Sequence, residues 1–307
     1  MSRKTRTPIA IAFIAPAFLV YTLAVIYPLV STLWSSFFSW QGIVSGDFVG
    51  LANFNRLFGN VYLGTVLAAF WHNVYWFVGI MVIQNVGALL IAYLLFTRRR
   101  QLGSFTSGMF QSIFFLPAIL SPVLVGALWR LLLAPTGPLD SLLVALHIAN
   151  GPVPFLGDPT IALPILISVD AWNWLGFPLL VYLAGFNDIP PEIIEAATLD
   201  GAGSWRILRS IGLPLIVPAL GTITILTFIG AFNQFDTVYI MEGLQGSPNY
   251  STDVLGTFFY RLAFGTMTNA GVTDIGVALA VATLLLIFLS AGTVIGLRLV
   301  MRRIVQF

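Results

Sequence analysis

The residues best able to do chemistry in this chain are two carboxylates, several amides and a few large aromatic rings, all set within apolar stretches. Asp170, Asn173, Trp174 and Phe177 follow one another at helical spacing and share one helix face. Thr227, Gly230 and Gln234 do the same, with Asn233 beside them. Carboxylates, amides and hydroxyls match the hydroxyls of a sugar, and aromatic rings match its ring faces, so these two faces point to recognition of a hydroxylated solute. A plainer alternative has Asp170 and Asp236 hydrated near the outer ends of their helices, with the Trp residues in an interfacial belt. Catalysis finds no support, since the sequence shows neither a Ser/His/Asp set nor a carboxylate pair. His72 and His147 are isolated, and Cys is absent, so no metal site is expected. The single lysine, Lys4, lies in the N-terminal tail, which excludes a Walker-type phosphate loop.

A second constellation runs from Asp188 to Pro214. A Pro pair opens it, and Glu192 and Glu195 follow where a helix start favours negative charge. Asp200 and Gly201 then break the helix, because Gly201 can turn left-handed without a Cβ clash. Ser204 is placed to cap a second helix. The expected local structure is therefore helix, sharp turn, short amphipathic helix.

The elements that must carry these groups are membrane spans. Of the 307 residues, 58% are hydrophobic and only 8% charged, too little polar surface to coat a water-facing globule. That excludes a cytoplasmic enzyme. A bilayer core about 30 Å thick needs roughly 20 apolar helical residues, and six stretches qualify: 9–33, 71–96, 109–133, 161–187, 211–240 and 275–297. All exceed the length of barrel strands. Eleven of the fourteen Lys and Arg residues fall on one side if both termini are cytoplasmic, among them Arg3, Lys4, Arg6, Arg98 to Arg100, Arg206, Arg209, Arg298, Arg302 and Arg303. Trp34, Trp40, Trp71 and Trp129 fall at the opposite boundaries. The first span is too long for a signal core and lacks a small-residue cleavage site, so it reads as an uncleaved anchor. Leu51, Phe54, Leu57 and Phe58 predict a short amphipathic helix outside, a short basic turn is expected after the second span, and the segment 188–210 lies inside.

That inner segment resembles the signature of the permease subunits of binding-protein-dependent ABC importers, in which Glu-Ala-Ala is followed by Gly, Ile and Leu-Pro. Here these are Glu195, Ala196, Ala197, Gly201, Ile211, Leu213 and Pro214, and the fuller form with Asp200 and Ala202 is similar to the carbohydrate branch, which includes glycerol-3-phosphate permeases. Further points of resemblance are Tyr27-Pro28, Asn53-Phe54, Phe114 to Pro117 with Trp129, Phe155 to Pro159, Gly185 with Ile189-Pro190, and Ala231 to Asp236. Leu255, Tyr260 and Ala263-Phe264 complete the series. The stretch Met241 to Pro248 departs from the family's tighter Thr-x-Gly-Gly-Pro and puts that outer loop in doubt.

The resemblance implies an all-α, six-span type I importer permease in one transmembrane domain, 1–307, in the inner membrane of a prokaryote. It implies that Glu195, Ala196, Ala197, Asp200, Gly201 and Ala202 form the coupling helix that docks on a separate ATPase. The implied partners are two ATP-hydrolysing subunits, a second homologous permease chain and an extracytoplasmic solute-binding protein, with lipid around the spans and no nucleic acid. No cofactor is implied, and this chain would not itself hydrolyse ATP. The solute path would lie along Asp170, Asn173, Trp174, Phe177, Thr227, Gly230, Asn233 and Gln234, working by alternating access. A neutral sugar is favoured over glycerol-3-phosphate or a glycerophosphodiester, since Arg130 and Arg261 lie near the outer boundary. An ion-coupled secondary transporter is the competing class. It calls for proton-relay pairs or an inverted repeat, and the sequence offers two lone Asp residues instead.

Overall fold

A computed structural model describes residues 13–265 and 273–304, with side chains outside 99–107 and 303–304. The start of the first expected span and the N-terminal basic residues Arg3, Lys4 and Arg6 lie outside the described residues. The chain divides into two compact units, residues 1–64 with 259–287 and residues 65–258 with 288–307.

In the first unit, helix α1 (Phe13–Ser35) is long and apolar enough to cross a bilayer, and none of its apolar window is buried. A hairpin follows that the sequence reading does not anticipate. Strands β1 (Phe38–Gln41) and β2 (Val44–Phe48) pair antiparallel, turning at Gly42 with φ +58°. Helix α2 (Ala52–Leu57) matches the expected short amphipathic helix, with Leu57 buried and Leu51 and Phe58 exposed. Asn53 fixes it to the hairpin by donating from Nδ2 to the carbonyls of Ser36 and Phe38, both at 2.8 Å. Arg56 pairs with Asp274, which also accepts from the Tyr62 hydroxyl at 3.0 Å.

The second unit contains the bent helices. Helix α3 (Leu63–Ile80) begins earlier than the expected span, passes through a π-helical turn at Met81–Val86 and continues as α4 (Gly87–Ile119). The helical backbone runs on through Arg98 to Arg100, where the sequence reading places a turn. No proline interrupts that stretch, and a cluster of arginines does not by itself break a helix. The third, fourth and fifth expected spans are each a bent pair. Helices ending at Ile119 and starting at Pro122 (α5, Pro122–Leu132) meet at 94°, with the Ser121 hydroxyl accepting from the Leu124 N–H. After α6 (Pro138–Ala145), helices α7 (Ala162–Trp174) and α8 (Gly176–Asn187) meet at 50°. Helix α9 (Pro191–Leu199) and α10 (Ser204–Ile207) follow, and a π-helical turn leads into α11 (Leu213–Leu215). This segment meets α12 (Val217–Phe232) at 72°. Pro117 sits in the last turn of α4, Pro214 lies in α11, and Pro122 and Pro218 open the helices beyond two bends. Helices α13 (Asp236–Glu242), α14 (Leu255–Phe264) and α15 (Ile275–Ile304) complete the chain.

Lipid tails are as apolar as leucine, so helices in a bilayer are held by close packing and by hydrogen bonds rather than by exclusion of water. Both devices are present. Ala88 and Ala92 on α4 are fully buried beside Leu179 and Tyr182 of α8. At Gly176 a Cβ would stand 2.6 Å from the Phe114 carbonyl oxygen and the Phe115 Cα, so only glycine permits that approach. A second buried cluster gathers Trp76, Leu166, Ile167, Val238 and Met241. Outward, Trp71, Val82 and Leu94 remain exposed, as a lipid-facing surface requires.

Candidate functional site

The cavity is built by departures from regular helix. In α8 residue 178 is proline, which has no N–H to give the Trp174 carbonyl one turn back. Gln84 supplies the missing donor, its Nε2 lying 3.1 Å from that oxygen. Gln84 can reach because the π-helical turn at Met81–Val86 rotates it, together with Asn85, toward the interior. Asn85 donates from Nδ2 to the Thr227 hydroxyl at 3.0 Å and ties this turn to α12. One turn earlier than Ile80, Trp76 is fully buried and donates from Nε1 to Asp170 Oδ2 at 2.9 Å. Asn73 holds the far end, donating to the Ala231 carbonyl at 2.6 Å and accepting from the Leu255 N–H at 2.9 Å.

These contacts frame a cavity of about 480 Å³. Seven of the eight residues expected along the solute path line it: Asp170, Trp174, Phe177, Thr227, Gly230, Asn233 and Gln234. Asn173 does not, being buried in the wall at 3% exposure. Asn173 lies in the same helix as Asp170 and Trp174, ahead of the bend at Leu175, and its side chain is packed behind them. Asp236 also lines the cavity, as an exposed residue at the start of the helix Asp236–Glu242. Trp76, Ile80, Gln84 and Pro122 were not expected there. Trp76 and Gln84 are two turns apart with Ile80 between them, a polar-edged stripe in an uncharged span that could have been read as cavity-facing. The Gln234 Nε2 group is buried with no hydrogen-bond partner among the described residues. The wall thus combines the exposed Asn233 amide, carboxylate acceptors and exposed ring faces at Trp174 and Phe177, each 43% exposed.

The Asp188–Ser210 segment is built differently. Helix α9 has no buried residue along its length. It ends in the expected left-handed turn, with Gly201 at φ +79° and the Gly201 and Ala202 N–H groups returning to the Thr198 and Ala197 carbonyls at 3.0 and 2.9 Å. Ser204 does not cap the following helix; Gly203 occupies the cap position in extended conformation. The Ser204 carbonyl instead accepts from the Tyr93 hydroxyl, and Ile207 and Leu208 are buried, which anchors the segment from its second half. Leu199 and Trp205 flank the turn at 89% and 67% exposure. Among the described residues no group of three His, Cys, Asp or Glu side chains is placed to hold a metal. The His72 ring instead pairs through Nδ1 with the Asp253 carbonyl at 2.6 Å.

Residues 42–306 match the family described as the inner membrane component of binding-protein-dependent transport systems. The chain belongs to this family. It is 30% identical over 257 residues, 84% of each chain, to the lactose transport system permease protein LacF of Rhizobium radiobacter. It is 32% identical to the probable ABC transporter permease protein YurN of Bacillus subtilis (strain 168), covering 90% of both. Its fold is similar, with a TM-score of 0.78 at 22% identity over 97% of this chain and 96% of the other, to a bacterial ABC transporter involved in import of the acidic polysaccharide alginate. The permease is therefore a multi-pass inner-membrane transport component of type I importer fold, and not an enzyme.

Proposed function

We propose that the permease forms half of the transmembrane path for a sugar or related solute, in one transmembrane domain with both termini cytoplasmic. The cavity at Asp170, Trp174, Phe177, Thr227, Gly230, Asn233 and Gln234 is the solute site, and Asn173 supports its wall from behind. Residues Glu195, Ala196, Ala197, Asp200, Gly201 and Ala202 form the element that docks on a separate ATPase. A second homologous permease completes the path, two ATPase subunits drive it, and an extracytoplasmic binding protein delivers the solute. Closure of the ATPases moves α9 and switches the cavity between outward and inward access. ATP can drive that switch only through contacts that differ between the two states.

The observation that carries this reading is helix α9, nine residues long and without one buried side chain, in a chain whose other helices are packed or lipid-facing. An apolar pair such as Leu199 and Trp205, left exposed on either side of a rigid turn, suits a partner's cleft. The sugar assignment is supported by the amide, carboxylate and aromatic lining and by the relative that transports lactose.

The test is purification of the chain in mild detergent with the subunits it retains, followed by an ATPase assay with candidate binding proteins and sugars. Recovery of a Walker-containing ATPase and a sister permease, with turnover raised by a sugar-loaded binding protein, is the expected result. Recovery of the chain alone, transporting in liposomes without ATP, overturns the reading.

A further inference from the structure

We propose that the cavity is a charge filter that admits neutral or amine-bearing polyhydroxy solutes and rejects carboxylated or phosphorylated ones, with Asp170 as the residue that sets the preference. The inference rests on the cavity being the solute site and adds the chemical class of the solute.

The lining contains two carboxylates, Asp170 and Asp236, and no Lys, Arg or His among its described residues. Trp76 Nε1 is the donor that the described residues give Asp170, and no cation forms an ion pair with it. A carboxylate so placed accepts hydrogen bonds from solute hydroxyls or an ammonium group, and charge-assisted bonds of this kind are the strong ones. The same group repels an incoming anion, and the repulsion is felt more keenly in a cavity walled by Trp76, Ile80 and Ile223 than in water. The remaining polar groups do not offset it. Thr227 accepts from Asn85, Gln84 donates to the Trp174 carbonyl, the exposed Asn233 offers a neutral amide, and none of these groups carries a positive charge. An acidic sugar would have to bury its charge beside Asp170 with no cation to pair it, an arrangement that costs affinity whatever the ring contacts contribute. The likeness to the alginate importer is a likeness of fold, and the charge of this cavity argues against an acidic solute here.

The experiment uses the purified importer assembly in lipid nanodiscs and follows equilibrium binding of three oligosaccharides of equal length by intrinsic tryptophan fluorescence. One is neutral (maltotetraose), one amine-bearing (a deacetylated chitin tetramer) and one acidic (an alginate tetramer). The wild-type assembly should bind the amine-bearing and neutral probes and bind the acidic one at least about tenfold more weakly. Asp170→Asn, nearly isosteric, should weaken neutral binding while narrowing the acidic-to-neutral ratio to about threefold or less. Phe177→Arg, which puts a cation on the wall without touching Asp170, should narrow the same ratio and keeps the test open if Asp170→Asn assembles poorly. Equal binding of acidic and neutral probes by the wild type, or a ratio moved by neither variant, overturns the charge filter while leaving the solute site standing. Failure of all three probes to bind an assembly that retains its ATPase removes the sugar reading itself, and the inference with it.

Discussion

The cavity wall and the α9 segment are both polar interruptions in an apolar chain, and they are built in opposite ways. In the wall, the Gln84, Asn85, Asn73 and Trp76 side chains donate to fixed acceptors, and Gln84 covers the carbonyl left open at the Leu175 bend. In α9 no side chain is fully buried; Ile194 rests against the core beside the buried Ile189, and the backbone turn at Gly201 ends the helix. A site that reads the hydroxyls of a small solute needs its donors and acceptors set before the solute arrives. A surface that engages a protein partner leaves its apolar groups uncovered until the partner buries them. Damage to the first should therefore alter solute selection or assembly, and damage to the second should uncouple an otherwise intact protein.

The sharpest way to break this contrast is a pair of glycine substitutions. Gly176→Leu drives a side chain into the Phe114 and Phe115 backbone, which cannot move aside as a flexible side chain would. The expected cost is about 3 kcal/mol or more, seen as loss of the monodisperse, cooperatively melting protein in detergent. Gly201→Val meets open space at its position and costs only the left-handed strain, roughly 1–2 kcal/mol. Its melting transition should survive while retention of the ATPase subunit is lost. If both variants unfold alike, α9 is part of the core and the contrast fails. The double truncation Leu199→Ala with Trp205→Ala is gentler. Removing two exposed apolar anchors should weaken ATPase retention by roughly 30-fold, or about 2 kcal/mol, with oligosaccharide binding unchanged in the fluorescence titration.

A smaller effect tests the wall from inside. Asn85→Leu removes the bond to Thr227 and leaves the hydroxyl without its donor, for an expected loss of about 1 kcal/mol in stability and a several-fold loss of solute affinity. An unchanged titration would mean that α12 needs no tether. Asn85 also marks where the sequence stops being legible. Hydrophobic length pointed to three long apolar helices and three bent pairs among the described residues, helical spacing pointed to six of the residues that line the cavity, and Gly201 announced its own conformation. A π-helical turn leaves no such signal, because one extra residue per turn shifts the phase on which every spacing argument depends. Asn85 was invisible to the reading of the sequence for that reason, whereas Gln84 continues the Trp76–Ile80 stripe. The bend at Leu175 escaped notice because a bent pair has the same summed apolar length as a straight span, while the bend at Ile216 falls between Pro214 and Pro218. Asn173 shows a separate limit: its spacing from Asp170 is helical, yet residues three apart still point about 60° apart, and it is buried within the wall. The β1–β2 hairpin failed for another reason, since its nine strand residues include Ser39, Gln41, Ser45, Gly46 and Asp47 and lack a steady alternation.

The smallest effect separates the two regions by pH. Glu242 ends α13, and burial pushes its carboxyl from 4.5 up to about 7, with the Arg130 charge pulling the other way. Its Oε1 is buried with no hydrogen-bond partner among the described residues, so the neutral acid fits this position better than the carboxylate. A carboxyl with a higher pKa folded than unfolded binds more protons in the folded state. Its contribution to stability is therefore fully present below the unfolded value, and it is lost as pH rises through about 7. The melting temperature of the purified assembly should fall gently between about pH 5 and 8 for this reason. Glu242→Gln, which keeps an uncharged polar group there, should flatten that slope. Hydrogen exchange should locate the change in α13 and α5, where Arg130 donates to the Ile240 carbonyl at 3.5 Å, and leave the α9 amides untouched. A slope that persists in the variant, or a loosening of α9 over the same range, would show that the two regions share a titrating group and are not the independent constructions their packing describes.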